Sequence, residues 1–201
     1  MRHCVLEWLR LGGKEYEYVS LSQDTAHEDL RQRRELSNNS SIFVDQSAVR
    51  AAIHGRILLL EGIERVERNI LPLLNNLLEN REITLEDGRI LLPPHRAEAL
   101  GIHSDSPSKK IVPVHKDFRV IGLMRVNPHK RGANSNSTQL DPPFRSRFQA
   151  RYVPPLSAGS LLQISKSLSP EVWETAPKLI TNYVKVADTF ATYDNGLCYK
   201  C

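Results

Sequence analysis

A run of four consecutive aliphatic residues, Ile57 to Leu60, leads directly into one acidic residue, Glu61. An unbroken apolar run of this length is typical of a strand buried on both faces, and such strands belong to parallel sheets covered by helices. A second apolar run, Phe118 to Met124, has the same character. Together they predict an α/β domain with a largely parallel sheet. Ligands of such sheets bind where the strands end, so the residues after Leu60 and Met124 are the first candidates for chemistry.

The rest of the chain shows helical and strand periodicities in alternation. The pattern predicts helices over residues 3–11, 25–34, 47–54, 66–79, 161–168 and 172–187, and strands over 16–21, 43–45, 56–60 and 118–124. The helix from residue 25 rests on Thr25 and Glu28, which have the spacing of a capping box. Two alternating runs over 83–92 surround Asp87-Gly88, the preferred sequence of a type I′ hairpin turn. Residues 93–110 and 127–141 are expected to be irregular loops.

Composition argues against several classes of protein. Hydrophobic residues make up 40% and charged residues 25% of the 201 positions, as in an ordinary globular domain. The net charge of +4 comes from mixed charges, as in residues 31–35, so we expect no nucleic-acid partner. No apolar run approaches the roughly 18 residues that a membrane span requires. The three cysteines, Cys4, Cys198 and Cys201, suit a reducing interior and suggest neither a disulfide framework nor a zinc site.

The carboxylate at the end of the first apolar run is the main candidate for chemistry. An enzyme that hydrolyses a nucleotide needs an acidic side chain fixed at the edge of its sheet, where it can hold Mg²⁺ beside the phosphates. Glu61 meets that requirement. The alternative is a core strand that ends in a solvated glutamate, and the strand alone leaves both interpretations open.

The segments on either side of this strand are more specific. A helix over residues 47–54 ends at Gly55 before the strand, and the run 75–82 (NNLLENRE) leads into the hairpin after it. In this arrangement the chain resembles the dynein-related and MoxR-like AAA+ ATPases. The resemblance covers about residues 1–155 and is closest to the mitochondrial members that carry a von Willebrand factor A domain. The matching segments are 21–25, 29–35, 69–81 and 141–151.

This resemblance implies a three-layer P-loop NTPase core with a parallel sheet over residues 1–155, followed by a partial helical lid and tail over 156–201. It also implies ATP and Mg²⁺ as cofactors and a homo-oligomeric ring that remodels protein clients. No segment matches G-x-x-x-x-G-K-[ST], so we expect a truncated chain that lacks the first strand and the phosphate-binding loop and is inactive alone. A mitochondrial location is implied as well. The first 13 residues have only weak transit-peptide character, which leaves the cytoplasm as the alternative.

Two positions near the strand end can be carried over from the family one by one. Glu61 stands where family members have the aspartate that holds magnesium. Gly62 stands where they have the glutamate that polarises the attacking water, so Glu64 becomes the candidate for that role. The alternative for Glu64 is a carboxylate at the start of a helix, where the helix dipole favours it. On this basis we expect Gly62→Glu to leave hydrolysis unchanged or to raise it.

Three residues further along the chain complete the set of candidates. Asn127 resembles the family's sensor-1 residue, although it falls about two residues late and could equally be part of a plain turn. Arg147 matches the arginine finger that stabilises the γ-phosphate charge of the neighbouring subunit, with Arg145 as a second candidate. We expect Arg147 to be exposed and to contribute little to folding. The alternative is a structural arginine with an acidic partner.

A rival function from a different class is a non-hydrolysing interaction subunit or regulatory isoform. Such a protein would keep the AAA+ fold and the ring interface without turnover, and Gly62 favours it. A nucleic-acid-binding domain would rest only on the sequence pI of about 9.0.

Overall fold

The computed structural model describes residues 2–37, 39–67, 69–100, 110–125, 140–153, 157–168, 170–175 and 177–186. Residues 2–125 and 140–149 form one compact unit, and the described residues from 150 onward belong to a second. Asn127, most of the loop expected at 127–141, and the cysteines at 198 and 201 lie outside the described residues. The helices in the described ranges are too short or too polar to cross a membrane.

The first unit alternates helices with strands. In chain order its elements are α1 (Arg2–Leu11), β1 (Tyr16–Ser20), α2 (His27–Leu30), β2 (Gln32–Ser37), β3 (Ser40–Asp45), α3 (Ser47–His54), β4 (Ile57–Glu61), α4 (Leu71–Glu79), β5 (Ile83–Thr84), β6 (Ile90–Leu92), α5 (Pro94–Ala99), β7 (Ile111–Pro113), β8 (Arg119–Leu123) and α6 (Pro142–Ser146). A 3₁₀ turn, Ile63–Arg65, follows β4. The second unit contains α7 (Ala158–Leu168), α8 (Pro170–Thr175) and helical residues 177–186. The expected domain boundary between residues 155 and 156 stays a prediction.

A parallel sheet in the order β1-β4-β8 forms the centre of the first unit. In β4, Leu58, Leu59 and Leu60 are fully buried, because strands flank β4 on both sides and helices and loops cover its faces. Burying each leucine contributes about 1.5–3 kcal/mol relative to exposure. The predicted α/β fold with a parallel sheet is therefore confirmed. The apolar run forms the buried central strand of that sheet, as expected.

The prediction of a helix through residue 34 is wrong, because the chain turns into strand β2 after α2. A single helical turn closes when the Asp29 carboxylate accepts the Ala26 N–H at 3.0 Å. Thr25 instead accepts the Ser22 N–H with its hydroxyl at 2.9 Å, so it does not cap a helix. Beyond the turn, β2 pairs antiparallel with β3, which begins three residues earlier than expected.

A buried amide holds this hairpin to the next one. Gln32, only 1% exposed, donates from its Nε2 to Asp45 Oδ1 at 2.7 Å and to Asp87 Oδ2 at 2.9 Å. Its Oε1 accepts the Asp87 N–H at 3.2 Å. Since every hydrogen-bonding atom of the amide has a partner, burying it at a strand position is not costly. Sequence patterning missed this strand because its residues are polar.

Three further features differ from expectation. Helix α4 begins at Leu71 rather than at residue 66, because Pro72 fits only the first turn of a helix and the 3₁₀ turn occupies residues 63–65. The Asp87-Gly88 turn has a positive φ only at Gly88, at 83°, whereas a type I′ turn needs two such residues. Helix α5 forms inside the stretch expected to be irregular. Near the end of the first unit, Phe144 of α6 is completely buried. Its ring packs edge-on against the Phe148 ring, with 5.2 Å between the two ring centroids.

Candidate functional site

Glu61 is the last residue of the central strand, at the carboxyl edge of the sheet. Its register partners are Ser20 at the end of β1 and Leu123 at the end of β8. Backbone hydrogen bonds continue past the strand end, since the Leu21 N–H donates to the Glu61 carbonyl at 2.8 Å and the Gly62 N–H donates to the Leu123 carbonyl at 2.9 Å. The backbone that carries the carboxylate is therefore fixed from both neighbouring strands.

Two side chains hold the Glu61 carboxylate. The Tyr18 hydroxyl donates to Glu61 Oε2 at 2.5 Å, and Arg2 Nη1 lies 3.3 Å from the same oxygen. The Tyr18 hydrogen bond lowers the pKa of Glu61, and the charges of Arg2 and Arg125 lower it further. The side chain is 21% exposed. Glu61 is thus an ionised carboxylate near neutral pH, with one face open to a ligand.

Gly62 has a structural role at this corner. Its φ is 82°, in the left-handed region, and a Cβ there would lie 2.9 Å from the backbone carbonyl oxygen of Leu21. A side chain at this position would be strained by its backbone conformation and would collide with a fixed atom. The expectation that Gly62→Glu leaves hydrolysis unchanged or raises it stays a prediction, but the backbone argues against it, because no carboxylate can be placed there without moving the strand end.

Glu64 lies in the 3₁₀ turn that follows. Its side chain is only 5% exposed, and its Oε1 is 3.7 Å from Arg65 Nε. Its Oε2 is buried and has no hydrogen-bond partner among the described residues. A buried carboxylate oxygen without a hydrogen-bond partner destabilises the fold. The Glu64 oxygen therefore points to a ligand, a water or a cation that binds it.

Glu61 and Glu64 are both among the residues that line one cavity of about 340 Å³. Arg2, Arg65 and Arg125 line it as well, so acidic and basic groups face the same space. Mg²⁺ binds one or two carboxylates and fills its remaining positions with waters and substrate phosphates, and the basic groups suit a phosphate. In the part of the chain that the structure describes, no group of three or more His, Cys, Asp or Glu side chains could hold a metal alone. Glu61 fits Mg²⁺ in this mixed mode, and the unpartnered oxygen of Glu64 fits a water beside it.

The two arginine candidates do not line this cavity. Arg147 Nε donates to Glu79 Oε2 at 3.1 Å, and its guanidinium also contacts the Pro143 carbonyl. With 21% of its side chain exposed, Arg147 is more buried than expected and has an acidic partner. Arg145, by contrast, is exposed and has no side-chain partner in the described ranges. Whether either acts on a neighbouring subunit stays a prediction, as does the role of Asn127.

Sequence reasoning missed the residues that surround Glu61. The sequence pattern places Tyr18 only in a strand and indicates no role for Arg2 and Arg125. One signal was available for Tyr18: in adjacent parallel strands, residues near the same end share an edge, so an aromatic hydroxyl near the end of β1 can reach the end of β4.

Comparison with known proteins gives three findings. The family model described as AAA domain (dynein-related subfamily) matches residues 4–148. Von Willebrand factor A domain-containing protein 8 of Mus musculus is 48% identical over 155 residues, covering 76% of this chain and 8% of that protein. The chain therefore spans a small fraction of that relative's length. A crystal structure from Cytophaga hutchinsonii, of a protein provisionally named an ATPase, superposes with a TM-score of 0.52 at 12% identity, over 78% of this chain and 39% of that one. At that identity the superposition supports the fold alone.

Proposed function

The chain belongs to the dynein-related subfamily of AAA domains, and we propose on that premise that it provides the acidic residues of an ATP-hydrolysing site. The observation that carries the proposal is the pairing of Glu61 with Glu64 at the carboxyl edge of the sheet, where both line one cavity. The buried Glu64 oxygen without a partner supports it, because a site prepared for a ligand leaves such an atom unsatisfied until the ligand binds.

The two carboxylates take different roles in this proposal. Glu61, ionised and oriented by Tyr18, would hold Mg²⁺ directly or through water. Bound Mg²⁺ would neutralise phosphate charge beside the attacking water. Glu64 lies two residues after Gly62, where the backbone leaves no room for a carboxylate. It would orient the attacking water and accept its proton. Arg2, Arg65 and Arg125 supply positive charge on the same cavity wall.

The wider activity is also a proposal, supported by family membership. We propose that the module works in a homo-oligomeric ring, remodels protein clients and resides in mitochondria. Arg147 is proposed as the group that reaches the neighbour's γ-phosphate, which would require it to leave Glu79. Arg145 is the alternative, since its side chain is already free to reach outward. Asn127 is proposed as the sensor residue, and residues 156–201 as part of the lid and a tail.

Magnesium-dependent ATP hydrolysis by the protein in its assembled state tests the proposal. Glu61→Gln and Glu64→Gln each keep size and hydrogen bonding but remove the charge, and we expect each to lower turnover at least a hundredfold. Glu67→Gln is the matched control, because Glu67 is exposed, close in sequence and outside the cavity lining. Turnover that survives in both cavity variants would place the catalytic site elsewhere.

A second candidate is the non-hydrolysing interaction subunit, which the geometry at Gly62 favours. The backbone there excludes the glutamate that family members use to polarise water. Assemblies of the wild-type chain without any magnesium-dependent turnover would favour this candidate over the hydrolase.

A further inference from the structure

A second cavity lies at the opposite edge of the sheet. Its volume is about 570 Å³, and it is bounded by the end of α4, the start of α5 and the loop that leads into β8. Arg119, the first residue of β8, lines it, whereas Leu123, the last residue, lines the cavity that holds Glu61. Four steps of about 3.3 Å along a strand place these two residues roughly 13 Å apart. The second cavity is therefore distinct from the candidate nucleotide site.

Three basic side chains, Arg81, Lys116 and Arg119, line this cavity, and none of them is paired with a carboxylate in the described ranges. Two glutamates share the lining. Glu79 is already engaged by Arg147, and Glu98 is exposed and makes no ion pair with the three cations in the described part of the chain. The wall therefore carries an excess of positive charge that the folded unit does not neutralise.

Arg81 is held in place at a conformational cost. Its φ of 53° lies in the left-handed region, which is unfavourable for a non-glycine residue. Its guanidinium carbon lies 5.9 Å from the centroid of the Phe118 ring, a cation–π arrangement. Burial lowers the pKa of Arg81, and the positive charge of Arg119 lowers it further. Two like charges are thus kept near each other although neither has an acidic partner.

The second arginine is also oriented. Arg119 Nη1 donates to the backbone carbonyls of Lys116 and Phe118, both at 2.8 Å. These bonds use one of the guanidinium's three nitrogens, which leaves donors on the other two for a ligand. Two backbone carbonyls, rather than a flexible side chain, therefore fix the position of the Arg119 guanidinium.

We propose that this cavity binds the phosphate group of a small phosphorylated ligand through Arg81, Lys116 and Arg119. Guanidinium groups match the spacing of phosphate oxygens and bind them in a bidentate manner. A phosphate dianion neutralises more of this excess positive charge than a single carboxylate does. The volume falls within the range of pockets that accept small molecules, so there is room for more than the phosphate itself.

The test is a titration of the chain with inorganic phosphate at constant ionic strength. Calorimetry measures the binding, and the change in melting temperature measures the stabilisation that phosphate brings. Lys116→Gln and Arg119→Gln should each weaken phosphate binding about tenfold, the effect of losing one charged hydrogen bond. Arg81→Lys keeps the charge without the planar fork and should also weaken it. Arg10→Gln is the matched control, because Arg10 is exposed and paired with Glu7 on α1. Lys116 is exposed, so its variant keeps the test valid if an arginine variant does not fold.

Three results would overturn the proposal. The first is a chain that does not respond to millimolar phosphate. The second is acetate binding as tightly as phosphate, which would make the cavity a general carboxylate site. The third is phosphate binding that survives in the Lys116 and Arg119 variants but is lost in Arg2→Gln. That pattern would move the phosphate to the Glu61 cavity, and so support the proposed function while removing this second site.

Discussion

Tyr18 donates its phenolic hydrogen to the Glu61 carboxylate from the adjacent parallel strand, with 2.5 Å between the two oxygens. This bond is the largest cause of the lowered pKa of Glu61. It links a tyrosine within strand β1 to the carboxylate that is the main candidate for holding a metal. The bond therefore couples the orientation of the site to the neighbouring strand.

Tyr18→Phe should raise the pKa of Glu61 toward its ordinary value, because the carboxylate loses its strongest donor. Because the folded pKa is below the unfolded value, the stabilisation from this bond is fully present above about pH 4.3 and is lost as the pH falls from there through the folded pKa. Carboxyl ¹³C NMR of Glu61 across the acid range measures the shift. Tyr16→Phe is the control, because the exposed Tyr16 on the same strand does not line the cavity. An unchanged Glu61 pKa in Tyr18→Phe would show that Arg2 and Arg125 hold the carboxylate without help.

Glu64→Met should stabilise the fold by about 1 kcal/mol, because it removes a buried oxygen that has no hydrogen-bond partner. Methionine is close in volume and needs no partner. Residues kept for binding commonly cost stability in this way. The free energy of unfolding in urea, without added metal, measures the effect. Glu67→Met is the control, because Glu67 is exposed. A loss of stability in the Glu64 variant would mean that its carboxylate already has a partner, such as an ordered water.

Gly62→Ala should destabilise the fold by about 2 kcal/mol, whereas Gly88→Ala should cost about 1 kcal/mol. Both glycines have positive φ values, 82° and 83°. Only at Gly62 would the new methyl group meet a backbone atom, the Leu21 carbonyl oxygen at 2.9 Å; at Gly88 nothing lies within 4 Å. Chemical denaturation of the two variants measures the difference. Equal costs would mean that the strand end at Glu61 yields easily, and a glutamate at position 62 would then become admissible.

Arg147→Ala should lower the free energy of unfolding by about 1 kcal/mol, because it removes contacts with Glu79 and the Pro143 carbonyl from a half-buried position. Arg145→Ala should leave stability unchanged, since that side chain is exposed. Thermal unfolding of the two variants gives the comparison. If Arg147→Ala is neutral, the pair with Glu79 is weak enough for Arg147 to reach a neighbouring subunit at little cost.

The central strand and its terminal carboxylate could be predicted because they rest on local pattern. Four aliphatic residues in a row admit few structures, and Gly55 ends the preceding helix where the sequence places it. Strand β2 could not be predicted in this way, because a polar strand is specified by partners distant in sequence. Gln32 bonds to Asp45 and to Asp87, and the second of these lies 55 positions away.

In the candidate site, too, some residues could be predicted from local sequence and others depend on contacts distant in sequence. Glu61 and Glu64 were accessible through family resemblance and strand position, whereas the Tyr18 contact depends on the register of β1 against β4. The role of Gly62 depends on the approach of the Leu21 carbonyl, which no local pattern encodes. The partner of Arg147 is Glu79, 68 positions earlier in the chain.

The most direct test of the central claim is to locate a divalent cation on the chain. Mn²⁺ replaces Mg²⁺ at oxygen sites and broadens the NMR signals of nearby nuclei, so a titration in the presence of ATP maps the site residue by residue. We predict broadening centred on residues 60–65 and 123–125, lost in Glu61→Gln and retained in Glu67→Gln. Broadening centred elsewhere, or unchanged in Glu61→Gln, would contradict the assignment of Glu61 to a metal–nucleotide site.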